Sequence, residues 1–158
     1  MHTHILIPTD GSDLSDEAIQ YGTALAKAVN AKVTGVTVST PFHFLSVADR
    51  VPDTIESYRQ RMTTAASQRL AKVKTMAEAA GVSCEIVHVE HEHPYKAIID
   101  VASSKACDLI VMASHGRRGI SAIVLGSETL KVLTHSTIPV LVYRGVRAGL
   151  SSPYFAAS

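Results

Sequence analysis

Short apolar runs alternate along the chain with longer amphipathic stretches. "HILIPT" (4–9) is apolar almost throughout and carries two β-branched isoleucines. A continuous run of that length predicts a strand covered on both faces, as in a parallel sheet. From 11 to 30, Leu14, Ala18, Leu25 and Val29 recur at helical spacing, and Ser12 or Asp13 supplies an N-terminal cap. "KVTGVTVS" (32–39) predicts a second strand, followed by a loop over 40–52 with two prolines. "DTIE" (53–56) has the cap-plus-carboxylate pattern of a capping box. Ile55, Tyr58, Met62, Ala66, Val73 and Ala77 continue from it as an apolar stripe, and Gly81 closes that helix. Then come a strand at 82–89, a helix at 94–105 with Pro94 in its first turn, and a strand at 108–113. A helix from Ser127 to His135 and a strand at 138–144 complete the pattern.

Five strands separated by four helices predict an α/β domain, with right-handed crossovers and helices on both faces of an open parallel sheet. One domain over 1–145 and a loose tail over 146–158 account for the chain. In such sheets ligands bind beyond the carboxyl ends of the strands, where the strand order reverses. Two segments fall at such ends: "PTDGSD" after the first strand and "SHGRRGISAIVLGS" after the fourth.

Composition narrows the field. The chain has 158 residues with 46% hydrophobic and 18% charged, enough for one real core. A net charge of +1 argues against nucleic acid, which asks for a basic face, but leaves room for a small anionic ligand. Cys84 and Cys107 form neither a CxxC pair nor a zinc pattern, and predict free thiols in a reduced compartment. No apolar run approaches the ~20 residues of a membrane span. The first strand begins within a few residues of Met1, which leaves no room for a leader, so a cytoplasmic protein is expected.

The second of those segments carries the chemistry. Gly116 and Gly126 lie either side of nine residues, and Ser127 opens the next helix. Glycine adopts left-handed backbone and lets main chain approach a ligand without a Cβ between them. The first N–H groups of a helix have no partner within it, and with the helix dipole they favour a phosphate. The Ser127 hydroxyl adds a donor; Arg117 and Arg118 add charge.

These stretches together resemble the universal stress protein family over roughly residues 3–144. The resemblance is carried by "ILIPTDGSDLSDEAI", "DLIVMASHGRRGISAIVLGS" and "IPVLVYR". It implies a Rossmann-like sheet, of the adenine nucleotide alpha hydrolase kind, in strand order 3-2-1-4-5. It also implies ATP binding on a loop of Gly, two residues, Gly, nine residues, Gly, then Ser or Thr. Here that pattern falls on Ala113, Gly116, Gly126 and Ser127, so the first glycine is replaced. An extended Ala113 adds only a methyl group. A left-handed one costs on the order of 1 kcal/mol, a tenfold loss of affinity at most.

The resemblance further implies the ribose near Asp10, with Pro8 and Thr9 beside it, and the adenine near the backbone of Val38. Met112 and Ala113 line the pocket floor. The phosphates lie on the backbone of Ser114, His115, Gly116, Arg117 and Arg118, and of Gly126, Ser127 and Glu128. The Glu128 carboxylate must then point away from them. Mg²⁺ or Mn²⁺ bridging the phosphates, a homodimer through 138–144, an unidentified protein partner and negligible hydrolysis belong to the same expectation.

Two rival functions stand beside it. One is an interaction module with an empty pocket, which Ala113 favours and Gly126-Ser127 disfavours. The other is an enzyme on adenylylated substrates, which needs an SGGxDS or HxGH loop; "PTDGSD" is neither. There is no GxxxxGK[ST] loop and no GxSxG elbow. His88, His91 and His93, with Glu90 and Glu92, form a conceivable metal cluster, more simply read as an exposed polar turn.

Overall fold

The computed structural model describes residues 1–44, 54–116 and 124–145. The tail, 146–158, lies outside them. The elements are β1 (His4–Pro8), α1 (Asp13–Val29), β2 (Lys32–Ser39), a single 3-10 turn (Phe42–Phe44), α2 (Ile55–Ala79), β3 (Cys84–Glu90), α3 (Pro94–Ser104), β4 (Leu109–Ala113), α4 (Ser127–His135) and β5 (Val140–Tyr143). The five strands form one sheet in the order β3-β2-β1-β4-β5, every neighbour parallel. The expected architecture and strand order are both found.

Alternation along β1 explains the two layers. Ile5 and Ile7 join Ile19, Ala26, Val73 and Ala77 in a core beneath α1 and α2. Leu6 points the other way, into Val36, Ile98, Val101 and Val132 beneath α3 and α4. Three elements depart from the sequence reading. The buried face of α1 is Ser15, Ala18, Ile19, Gly22, Thr23 and Ala26, while Leu14, Leu25 and Val29 flank it half-buried. Small residues bring this helix close to the sheet: a Cβ on Gly22 would stand 2.7 Å from Ile7 Cδ1. The cap of α2 is Thr54, whose Oγ1 accepts from Ser57 N–H at 3.1 Å. The capping box on Asp53 is therefore displaced by one residue, and Asp53 itself lies outside the described residues. Ile55, at the exposed first position, is off the stripe, and Leu70 takes a place in it. Finally, β5 is shorter than 138–144 because Ser136 Oγ accepts from Ile138 N–H (3.0 Å) and turns the chain before the ladder begins.

β3 is an edge strand and is not covered on both faces; Glu85, Ile86, His88 and Glu90 are exposed. Cys84 and Cys107 are free thiols, and burial pushes Cys107 up to about 11. No helix among the described residues is long and apolar enough to cross a membrane.

Candidate functional site

β1 and β4 are neighbours, yet the chain runs outward from them in opposite directions. That reversal opens a crevice beyond their carboxyl ends. Two turns meet there.

The β1–α1 turn is held from below. Pro8 ends β1 opposite Val36. Thr9 N–H donates to Val36 O at 2.9 Å, and Thr9 O accepts from the Thr37 hydroxyl at 2.8 Å. Thr9 Oγ1 accepts from Gly11 N–H (3.2 Å) and shares a hydrogen with Ser15 Oγ (3.0 Å). Thr9 is thus a buried strut whose polar atoms are committed to the turn. Asp10 Oδ1 accepts from Ser12 N–H at 3.0 Å, which fixes the carboxylate at the head of α1.

Asp10 Oδ2 lies against the second turn. A Cβ built on Gly116 would stand 2.2 Å from it, so only glycine leaves room for the carboxylate there. Gly126 N–H donates to Ser114 O at 2.8 Å, and a Cβ on Gly126 would stand 3.0 Å from His115 Cα. The two glycines therefore clasp the ends of the long loop and the acid together. Neither has the left-handed backbone that the sequence reading allowed for; their requirement is space. Arg117 and Arg118 lie outside the described residues.

Ala113 is the last residue of β4, paired with Tyr143, and its φ is not positive. The residue is 7% exposed. The replacement of the first motif glycine therefore carries no backbone strain. Met112, also buried, packs on the α3–α4 side. Ser114 N–H donates to Tyr143 O at 2.7 Å, and Ser114 Oγ lies 3.1 Å from His115 Nδ1.

The start of α4 is tied to the end of β4. Gly126 is its N-cap and provides no side-chain cap. Ser127 opens the helix and is exposed. Thr129 Oγ1 donates to Ala113 O at 2.9 Å and pins the first turn to the end of β4. Glu128 is engaged on the α3 side: Oε2 accepts from Tyr95 N–H at the head of α3 (2.9 Å), and Oε1 pairs with Lys131 (3.0 Å). Its carboxylate so caps a second helix, where it meets a favourable dipole. Thr129 and Tyr95 were not legible as site supports; the pairing of Glu128 with a distant backbone N–H leaves no local sequence signal. Val38 is half-buried near the end of β2, beside Val89.

The histidines of the β3–α3 turn are spent locally. His88 Nε2 bonds Ser39 Oγ (2.8 Å), and His91 Nδ1 accepts from His93 N–H (2.8 Å). Among the described residues no group of three or more His, Cys, Asp or Glu is placed to hold a metal ion.

Comparison with known proteins points one way. The universal stress protein MJ0531 of Methanocaldococcus jannaschii is 33% identical over 144 residues, covering 91% of this chain and 83% of its own. YxiE of Bacillus subtilis, another universal stress protein, is 31% identical and covers 91% of this chain and all of its own. The solved structure of MJ0577 superposes with a TM-score of 0.76 at 26% identity, over 90% of this chain and 96% of that one. A universal stress protein solved in complex with cAMP superposes at 0.64 with 26% identity, over 89% and 96%. The universal stress protein family matches residues 1–144, and this chain belongs to it.

Proposed function

We propose that the chain binds ATP in the crevice between β1 and β4 and acts as a nucleotide-responsive regulator in the stress response. The observation that carries this is the clasp: Asp10 against Gly116, and Gly126 against His115 and Ser114. It sets a carboxylate, two close-approach glycines and an uncapped helix start around one space. Phosphate oxygens accept from the backbone N–H groups of His115, Gly116, Ser127 and Glu128, strengthened by the α4 dipole, whereas the expected donors of Ser114 and Gly126 are already committed to Tyr143 O and Ser114 O and those of Arg117 and Arg118 lie outside the described residues. The ribose hydroxyls donate to Asp10, and the adenine meets the backbone of Val38. A cAMP complex of a relative with 26% identity supports an adenine ligand.

Mg²⁺ or Mn²⁺ accompanies the phosphates in this reading. Of the expected site acids, Glu128 is turned to Tyr95 and Asp10 lies against Gly116, so Asp10 is the carboxylate that would help hold such an ion. Hydrolysis is negligible, since no residue is assigned to activate water; His115 Nδ1 is engaged with Ser114. The signal passes through a homodimer formed along β5 to a protein partner in the cytoplasm.

Calorimetric titration of ATP into nucleotide-stripped protein tests the binding. Wild type should bind, and Gly126→Val, which drives a branched side chain into His115, should not. No heat at millimolar ATP would replace this function with an interaction module whose pocket stays empty.

A further inference from the structure

Three amides open α4 ahead of its first internal bond. Leu130 N–H donates to Gly126 O at 2.9 Å, so those of Ser127, Glu128 and Thr129 come before it and have no partner within the helix. Their direction follows from how the head of α4 is held. The helix has nine residues; Thr129 and Val132 are its buried ones, and Leu130 and Leu133 stand exposed. A helix this short is marginal by itself, and most of its stability must come from tertiary contacts. Bonds to other elements therefore set its orientation.

Two of those bonds run down to the end of β4: Gly126 N–H to Ser114 O, and Thr129 Oγ1 to Ala113 O. A third runs sideways to α3. Pro94 opens α3 and has no N–H, and its N-cap, His93, gives no side-chain bond. Tyr95 therefore carries the first N–H of that helix, while the next, Lys96 N–H, is taken by His93 O at 3.1 Å. Glu128 Oε2 accepts the Tyr95 N–H at 2.9 Å. Lys131 Nζ holds the other oxygen at 3.0 Å and stands 5.6 Å from the centre of the Tyr95 ring. The His135 ring meets the same ring at 5.1 Å. One carboxylate thus joins the heads of two helices, and the residue that carries it also supplies one of the opening amides of α4.

We propose that Glu128 is a positioning residue of the nucleotide site: its side chain, hooked on the head of α3, holds the first turn of α4 at the angle at which the Ser127 and Glu128 N–H groups meet phosphate. The inference rests on the nucleotide reading above, which gives those two donors to the phosphates. What matters is the reach of the side chain and its acceptor oxygen. Its charge is already met by Lys131 and by the α3 amide. The effect is confined to the phosphate end of the ligand, because Asp10 and Val38 are held by β1, α1 and β2.

The test is titration of ATP and of adenosine into wild type, Glu128→Gln, Glu128→Asp and Glu128→Ala, followed by amide chemical shifts, which register millimolar affinities as well as micromolar ones. Glu128→Gln loses the charge but keeps an oxygen at the same reach, and should retain most of the ATP affinity. Glu128→Asp keeps the charge but is one methylene too short for the Tyr95 N–H, and should bind ATP about tenfold more weakly, as should Glu128→Ala. Adenosine has no phosphate, so its shifts should be the same in all four proteins. The Asp and Gln variants decide the matter even if Glu128→Ala does not fold. ATP affinity unchanged in Glu128→Asp overturns the positioning role. So does the reverse order, with Glu128→Asp like wild type and Glu128→Gln weak, or a loss that adenosine shares in equal measure. Wild type without shifts at millimolar ATP overturns the nucleotide reading itself, and the role of Glu128 with it.

Discussion

Ala113 stands where the family loop has its first glycine, and its backbone decides what that means. The residue is extended, laddered to Tyr143 and buried. A glycine there would gain no conformation the chain uses and would loosen the end of β4. Ala113→Gly should therefore leave ATP affinity unchanged and lower stability by roughly 0.5–1 kcal/mol, read from urea midpoints. Gly116 is the opposite. Its Cβ would collide with the Asp10 carboxylate at 2.2 Å, so Gly116→Ala must expel the acid from the crevice. Titration of that variant should show ATP binding lost with the circular dichroism spectrum retained; unaltered affinity would remove Asp10 from the site. Ser127→Ala costs one donor, roughly 0.5–1.5 kcal/mol, or up to ~3 if the bond is to a charged phosphate. Both glycines stood out in the sequence by their placement between a buried strand and a helix start and by the family resemblance, their spacing alone being a weak signal. Their reason did not: the atoms that crowd Gly116 belong to a residue more than a hundred positions away, and no local pattern records that.

At the level of elements, the strands and helices were legible because each buries an apolar run of the right period. What escaped was which residues of a helix face the sheet. In α1 the buried positions are mainly small ones, Ser15, Gly22, Thr23 and Ala26, which a search for large apolar residues passes over. In α2 the cap fell one residue late because Asp53 and Thr54 are both good caps and only the observed backbone separates them. Thr54→Ala should cost about 1 kcal/mol by chemical denaturation. The β1–β2 pair adds a dependence on pH. His4, 4% exposed, bonds Thr34 Oγ1 through Nε2 at 2.7 Å. Burial first, then the charge of Lys32, hold it below its ordinary value, against smaller opposing effects that include Asp108. The unfolded chain then takes up the proton first. The stability that His4 contributes is complete above about pH 6.5 and drains away as pH falls through its lowered native value. Urea midpoints should drop across that window in wild type, and His4→Gln should flatten the drop, with carboxylate titration remaining nearer pH 4.

For the whole molecule the open question in the sheet is its two edges. β3 defends itself: Glu85, His88 and Glu90 stand exposed on it, and Lys105 pairs with Glu85. Charged side chains of this kind block strand addition. β5 has no such guard. It reads Val140, Leu141, Val142, Tyr143, all half-buried, and beside it α4 exposes Leu130 and Leu133. The ladder says which groups are left over. Pro139 O accepts from Ile110 N–H and Tyr143 O from Ser114 N–H, so alternate residues 139, 141 and 143 face β4. The N–H and C=O groups of Val140 and Val142 point outward, and among the described residues no strand meets them. A second copy related by a two-fold axis would present the same groups and the same apolar flank, and pairing the two β5 edges would join both sheets into one. Light scattering at tens of micromolar should therefore give the mass of a dimer. Val142→Pro removes one outward N–H and no bond to β4. It should shift the protein toward monomer while ATP still binds, because the crevice is built from β1, β4 and the head of α4. A monomeric wild type would refute the β5 interface. A variant that loses nucleotide and dimer together would show that the site needs both copies.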